Sequence, residues 1–190
     1  MGFLNWTFFH YIWVKCPIMD KLTKRTQKTA GQSAIAIAVH SSLRNKDSIN
    51  RIVWLILGGN EFLPNEPTSS IDYIHASSRG IPKLSVINLS EMLNVPMKDI
   101  AALLNISYKT LGRLQRKDLL DPLESSLSIE LANLTARGIS VFEDANKFNQ
   151  WLKKENRAIS GKKPFDLLNT PTGIKMVGQL LERIEEGVYT

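Results

Sequence analysis

Residues 97–114 read MKDIAALLNISYKTLGRL, and this stretch decides the fold. Ile100, Leu103 and Leu104 form one apolar stripe at helical spacing, and Leu111 and Leu114 begin a second. Between the stripes Ile106 sits in the turn as an apolar plug, and Ser107 is a natural N-cap for the second helix. Ala101 supplies the small side chain that two steeply crossing helices need. Asn105 stands where the first helix must end, and Asn tolerates the left-handed backbone of a tight turn. The pattern predicts a helix-turn-helix. The second helix and its sequel then present Ser107, Tyr108, Lys109, Thr110, Arg113, Arg116 and Lys117, residue types that reach base edges or phosphates in a major groove. A hairpin of two helices with a solvated cationic face has the same outline. The small residue, the turn and the cap occurring together favour the groove-binding reading.

Outward from this segment the periodicity stays helical. Leu84, Ile87, Met92 and Leu93 follow Gly80-Ile81-Pro82, and Pro96 opens the first helix of the motif. Asp121-Pro122 combines a cap with Pro at the first helical position and predicts a long helix through about Phe142. Asp144 caps another ending near Leu152, Pro164 starts a single turn, and Thr170-Pro171 starts a last helix through Ile184. Upstream, IVWLIL (52–57) is a buried run stopped by Gly58-Gly59, and residues 60–69 are a loop. The run AIAIAV (34–39) alternates but is too short to assign. The fold class is all-α.

The chain has 190 residues and a formal charge of +6. The excess lies in residues 1–60, which hold eight basic side chains and two acidic ones. Residues 61–125 hold seven against eight, so their near-neutral total hides the motif, where residues 97–117 carry five basic groups and one acid. The single cysteine, Cys16, excludes a disulfide framework and fits a reducing cytosol. His10, His40 and His75 are scattered, so neither a metal site nor a nucleophile–base pair is expected. No glycine-rich phosphate loop occurs in the context such a loop needs, and no catalytic residue or cofactor is expected.

Residues 1–18, MGFLNWTFFHYIWVKCPI, hold six of the fifteen aromatic residues. They lack the basic start and small-residue cleavage site of a secretory signal, and their apolar run is too short to span a bilayer. A membrane-surface anchor is one reading, and translation starting at Met19 is the plainer one. Residues 20–33, with Lys21, Lys24, Arg25 and Lys28, read as a flexible basic arm.

The C-terminal segment AISGKKPFDLLNTPTGIKMVGQLLERIEEGVYT (158–190) carries a second pattern. Its last helix has Ile174, Val177, Leu180 or Leu181, and Ile184 along one face, and Gly187 stops it. Pro164, Leu167, Leu168, Thr170, Gly173, Leu181, Ile184, Gly187 and Val188 resemble the toxin-binding domain of Xre/MbcA/ParS-type antitoxins. That domain has a Pro-x-x-Leu-Leu core, a Thr-x-x-Gly helix start and a Leu-x-x-Ile-x-x-Gly-Val ending. Gly80-Ile81-Pro82 is similar to the family's Gly-Leu-Pro entry. Asn105 to Arg113 is similar to its Gly-Ile-Ser-x-x-Thr-Leu-x-Arg recognition segment, with Asn105 in place of the usual Gly. The resemblance runs from Ser70 to the end. Residues 1–60 lie outside it.

The resemblance implies a cytoplasmic, non-enzymatic antitoxin of a type II toxin–antitoxin system. It would neutralise a partner toxin, commonly a RES-domain protein that destroys NAD, and repress its own operon by binding operator DNA, as a homodimer. Leu180, Leu181, Ile184, Glu185, Gly187, Val188 and Tyr189 would meet the toxin, the leucines and Ile184 as apolar anchors. Glu182, Glu185 and Glu186 would pair with basic groups in a site built for a dinucleotide. Three segments follow: an N-terminal extension and basic arm, partly disordered, over 1–60; the helix-turn-helix domain over 61–125; and the long helix with the toxin-binding domain over 126–190. The alternative is a stand-alone repressor whose C-terminal domain only dimerises.

Overall fold

A computed structural model describes residues 34–45 and 47–188. The aromatic segment 1–18 and the basic arm 20–33 lie outside the described residues. The chain divides at Ala34, and Ile35–Thr190 is one unit. Its described elements are helices joined by short turns.

Residues 34–44 form α1. The AIAIAV run is thus helical, because Ile35, Val39 and Leu43 recur every fourth residue and all pack on the core. Ser42 donates to Asp47 at 2.5 Å across the corner that follows. Helix α2, Ile49–Leu57, is capped by Ser48 and buries Ile52, Val53, Ile56 and Leu57. Residues 35–57 therefore belong to the core. The described part of the extension set at 1–60 does not stay separate from the helices that follow, since the apolar faces of α1 and α2 are buried in the same core.

The next helices are α3 (Ser70–Arg79), α4 (Lys83–Met92), α5 (Met97–Leu103) and α6 (Tyr108–Arg113). Around them runs α7, Pro122–Phe142, whose 21 residues span about 32 Å at 1.5 Å each. It touches α2, α3, α4, the next helix α8 (Ala145–Leu152) and the last helix α9 (Pro171–Glu185). A helix so placed must be buried on several sides. Leu127, Ile129, Leu131, Leu134 and Ile139 supply apolar bulk, while Ser125, Ser128, Ala132, Thr135, Ala136 and Gly138 let neighbours approach. Two buried hydroxyls are satisfied within the helix, Ser128 donating to the Glu124 carbonyl at 2.7 Å and Thr135 to that of Leu131 at 2.7 Å. The Ser125 hydroxyl donates to the Leu120 carbonyl at 3.3 Å and accepts from the Ile81 N–H at 3.0 Å.

The caps expected from sequence close the last third. Asp144 accepts from the Lys147 N–H at 2.8 Å and Thr170 from the Gly173 N–H at 3.0 Å. Short 3₁₀ turns at Arg157–Ile159 and Pro164–Leu167 connect α8 to α9. A side chain at Gly173 would collide with the Leu167 carbonyl oxygen, which explains glycine four residues before Val177 in the Thr-x-x-Gly start.

Candidate functional site

The turn between α5 and α6 is a Schellman motif. Asn105 has φ 56°, its N–H donates to the Ala102 carbonyl at 3.2 Å, and the Ile106 N–H donates to the Ala101 carbonyl at 3.0 Å. Ile106 is partly buried against the core, as the plug reading requires. Ser107 caps α6 by accepting from the Thr110 N–H at 2.9 Å, and its hydroxyl lies 2.6 Å from that of Thr110. Ser107 and Thr110 are thus partly committed to the start of the helix. Ile100, Ala101, Leu103, Leu104 and Leu111 are all buried, which leaves the opposite side of α6 to solvent. Tyr108 is 58% exposed, and Lys109, Thr110 and Arg113 are exposed beside it.

Arg116 and Lys117 sit beyond the helix in a tight turn that the fold holds firmly. The Gln115 N–H donates to the Asp118 carboxylate at 2.6 Å. On the other side the segment pairs with the entry to α4. Lys83 N–H donates to the Asp118 carbonyl at 2.9 Å, Leu84 N–H to that of Arg116 at 3.0 Å, and Leu120 N–H to that of Ile81 at 2.9 Å. Gly80 makes this pairing possible: its φ is 90°, and a Cβ there would lie 2.5 Å from the Leu120 carbonyl oxygen. The Gly-Ile-Pro entry and the two cations after α6 are therefore parts of one arrangement. Tyr108, Lys109, Arg113, Arg116 and Lys117 are all exposed, and none of them is in an ion pair recorded among the described residues.

At the other end of the chain the expected contact residues separate. Leu181 is 1% exposed and belongs to the core, and Leu180 is 7% exposed. Leu181 is not a surface anchor in this chain, because α9 packs on α7 and needs it, with Ile174 and Val177, for its own burial. Leu180, though little exposed, lines a depression beside Ile184 and Val188. Ile184 is half-buried, Glu185 and Gly187 are exposed, and Val188 is 51% exposed. Tyr189 lies outside the described residues. Glu182 is held by Arg137 on α7, 2.8 Å away, so it is already paired within the chain. Helix α9 ends in a second Schellman turn: Gly187 has φ 73°, and the Val188 N–H donates to the Arg183 carbonyl at 2.8 Å.

Sequence reasoning missed the surroundings of this tail. Ile184 and Val188 border a shallow depression of about 270 Å³ that Phe142, Trp151, Asn156, Ala158, Leu180 and Arg183 complete. Phe142, Phe148 and Trp151 form an aromatic cluster there, with ring centroids 5.5–6.2 Å apart. The signal was present as three aromatics within ten residues, but only the packing of α8 on α7 shows that they meet the end of α9.

Among the described residues no three His, Cys, Asp or Glu side chains are grouped to hold a metal ion, and no helix is long and apolar enough to cross a membrane.

Residues 72–133 match the antitoxin Xre-like helix-turn-helix domain, which covers α3 to the middle of α7 and contains the whole cationic face. Residues 137–187 match the antitoxin Xre/MbcA/ParS C-terminal toxin-binding domain, from the last turns of α7 to the glycine that ends α9. Antitoxin Xre of Pseudomonas putida is 35% identical over 83 residues, which is 43% of this chain and 52% of that protein. The chain thus aligns with about half the length of this relative. Two antitoxin domains lie here in this order: the chain carries the helix-turn-helix domain and the C-terminal toxin-binding domain of the Xre/MbcA/ParS-type antitoxins.

Proposed function

We propose that the chain is the antitoxin of a type II toxin–antitoxin pair. Its C-terminal domain binds and neutralises a RES-domain toxin, and its helix-turn-helix binds operator DNA and represses its own operon as a homodimer. The observation that carries this reading is the pairing, in one chain, of an exposed cationic recognition helix with a matched toxin-binding domain. Lys109 and Arg113 on α6 face the base edges, and Ser107, Tyr108 and Thr110 fix the start of that helix at the groove. Arg116 and Lys117 lie on phosphates. On the toxin side, Ile184 and Val188 are the apolar contacts, the aromatic depression receives a toxin side chain, and Glu185 and Glu186 meet basic groups.

Co-expression with the product of the adjacent gene, which this reading expects to be a RES-domain protein, is the test. Cells should grow with both proteins, stop growing with the toxin alone, and yield the two as a co-purifying complex. DNA from upstream of its own gene should shift in a gel, and Arg113→Ala should remove that shift while protection stays. A stable complex that fails to protect, or protection without any complex, would sink the neutralisation reading. A parent protein that ignores its upstream DNA would sink autorepression and leave the toxin arm standing.

A further inference from the structure

The DNA-binding face assigned so far lies within α6 and the turn after it, yet a second cationic segment of equal strength lies in the other domain. Residues 153–163 read KKENRAISGKK, with five basic side chains and one acid. Lys153, Lys154, Arg157, Lys162 and Lys163 are all exposed, and none is in an ion pair recorded among the described residues.

The loop is built, not slack. Asn156 accepts from the Ala158 N–H at 2.9 Å, its own N–H donates to the Lys162 carbonyl at 3.0 Å, and the Gly161 N–H donates to the Asn156 carbonyl at 3.0 Å. Ile159 is buried beneath it. Such a loop carries its cations on an ordered backbone, so only side-chain freedom remains to be lost on binding a rigid polyanion.

Its placement points to the partner. The stretch from Lys153 to Asn169, which contains the segment, is bonded at its two ends to the turns before and after α5, the first helix of the helix-turn-helix. At the start, the Lys153 ammonium donates to the Asn94 carbonyl at 2.8 Å, and the buried Asn149 amide donates to that of Met92 at 2.8 Å. At the end, the Asn105 amide donates to the Asn169 carbonyl at 3.2 Å, within the α5–α6 turn itself. In a bound helix-turn-helix the first helix crosses the phosphate backbone while the second enters the groove. A cationic loop carried between two anchors at the turns before and after α5 therefore lies beside the helix that meets the phosphates.

We infer that Lys154, Arg157, Lys162 and Lys163 form a second phosphate-contacting strip, so that the toxin-binding domain itself holds DNA backbone beside the helix-turn-helix. This rests on the DNA-binding reading above. The strip carries no base readout, so it adds affinity and salt dependence without sequence preference.

The test uses the full chain with K154Q, R157Q, K162Q and K163Q combined, against two duplexes: its own upstream DNA and an unrelated sequence of the same length. Affinity for both should fall by the same factor. The slope of log affinity against log salt should shrink by about 0.9 for each phosphate contact removed, or about 2 if half of the four reach one. Discrimination between the duplexes and capture of the co-expressed toxin should not change. The charge-preserving set K154R, R157K, K162R and K163R should bind as the parent does, which separates lost charge from misfolding. An unchanged salt slope in a parent whose shift depends on Arg113 overturns the strip and leaves the DNA reading intact. Loss of toxin capture with DNA affinity retained assigns the loop to the toxin and also overturns it. A parent that shifts neither duplex overturns both readings together.

Discussion

Asp72 shows how one side chain holds the entry to a helix. Its carboxylate accepts from the Thr68 N–H at 2.9 Å and the Ser69 N–H at 3.0 Å, two donors that the end of the preceding loop leaves without partners. These backbone donors, Ser69 first and Thr68 next, hold the Asp72 carboxyl below its ordinary value of 3.8. A group whose folded pKa is lowered stabilises fully above its unfolded value, and that contribution is lost as pH falls through the folded one. Asp72→Ala should therefore melt below the parent at neutral pH, with the gap closing as pH drops beneath 3.8. Thermal melts at a series of pH values measure this; a gap that stays constant to low pH would mean the carboxylate charge is not what the loop uses. Tyr73 next to it answers a different need. Burial raises the Tyr73 hydroxyl well above its ordinary pKa, and it donates to the Asn50 carbonyl at 2.6 Å, tying α3 to α2.

At the scale of elements, α6 has six residues, too few to be stable alone in water. It exists because Ser107 caps it and Leu111 is buried beneath it. The two faces of this helix should therefore separate by mutation. Leu111→Ala leaves a cavity and should cost about 2–5 kcal/mol of stability. Lys109→Ala touches nothing buried, should change stability by no more than about 0.5 kcal/mol, and should lose DNA affinity all the same. Denaturant unfolding beside gel shifts reads both, and a Lys109→Ala protein that binds DNA like the parent would remove α6 from the groove. The motif was legible in the sequence because its determinants are local: Asn105, Ile106 and Ser107 act within a few residues of themselves. The same holds for Asp144, Thr170 and Pro122. Helix α1 was not legible, because its stripe of Ile35, Val39 and Leu43 extends past the alternating run that masks it, and only the core it meets selects the helical period. Nor could spacing alone decide how Leu180 and Leu181 are used, since the face of α9 that is buried depends on where α7 lies.

At the scale of the whole molecule, the two matched domains are not independent beads. Helix α7 runs through the boundary between them, and the bonds from Asn149, Lys153 and Asn105 tie the second domain to the first helix of the motif. Substitutions at the buried positions of the C-terminal half would therefore disturb the helix-turn-helix half through the shared core. The last residues are the exception. Gly187 and Val188 lie past the final turn, and what they give the fold is two backbone bonds at an exposed helix end, to the Ile184 and Arg183 carbonyls. Water can satisfy those carbonyls when the tail is gone. Deleting Gly187–Thr190 should thus leave the melting transition and the upstream-DNA shift close to those of the parent. Neutralisation should weaken, because Val188 is an exposed large apolar side chain at the mouth of the Phe142–Trp151 depression. The readout is growth on toxin co-expression, titrated with antitoxin level, so that weakened binding shows as a higher dose needed for protection. Full protection at the parent's dose would move the toxin contact off the tail and onto Ile184 and the aromatic wall. Lost protection together with a lowered melting point would show that the tail supports α9, not the toxin.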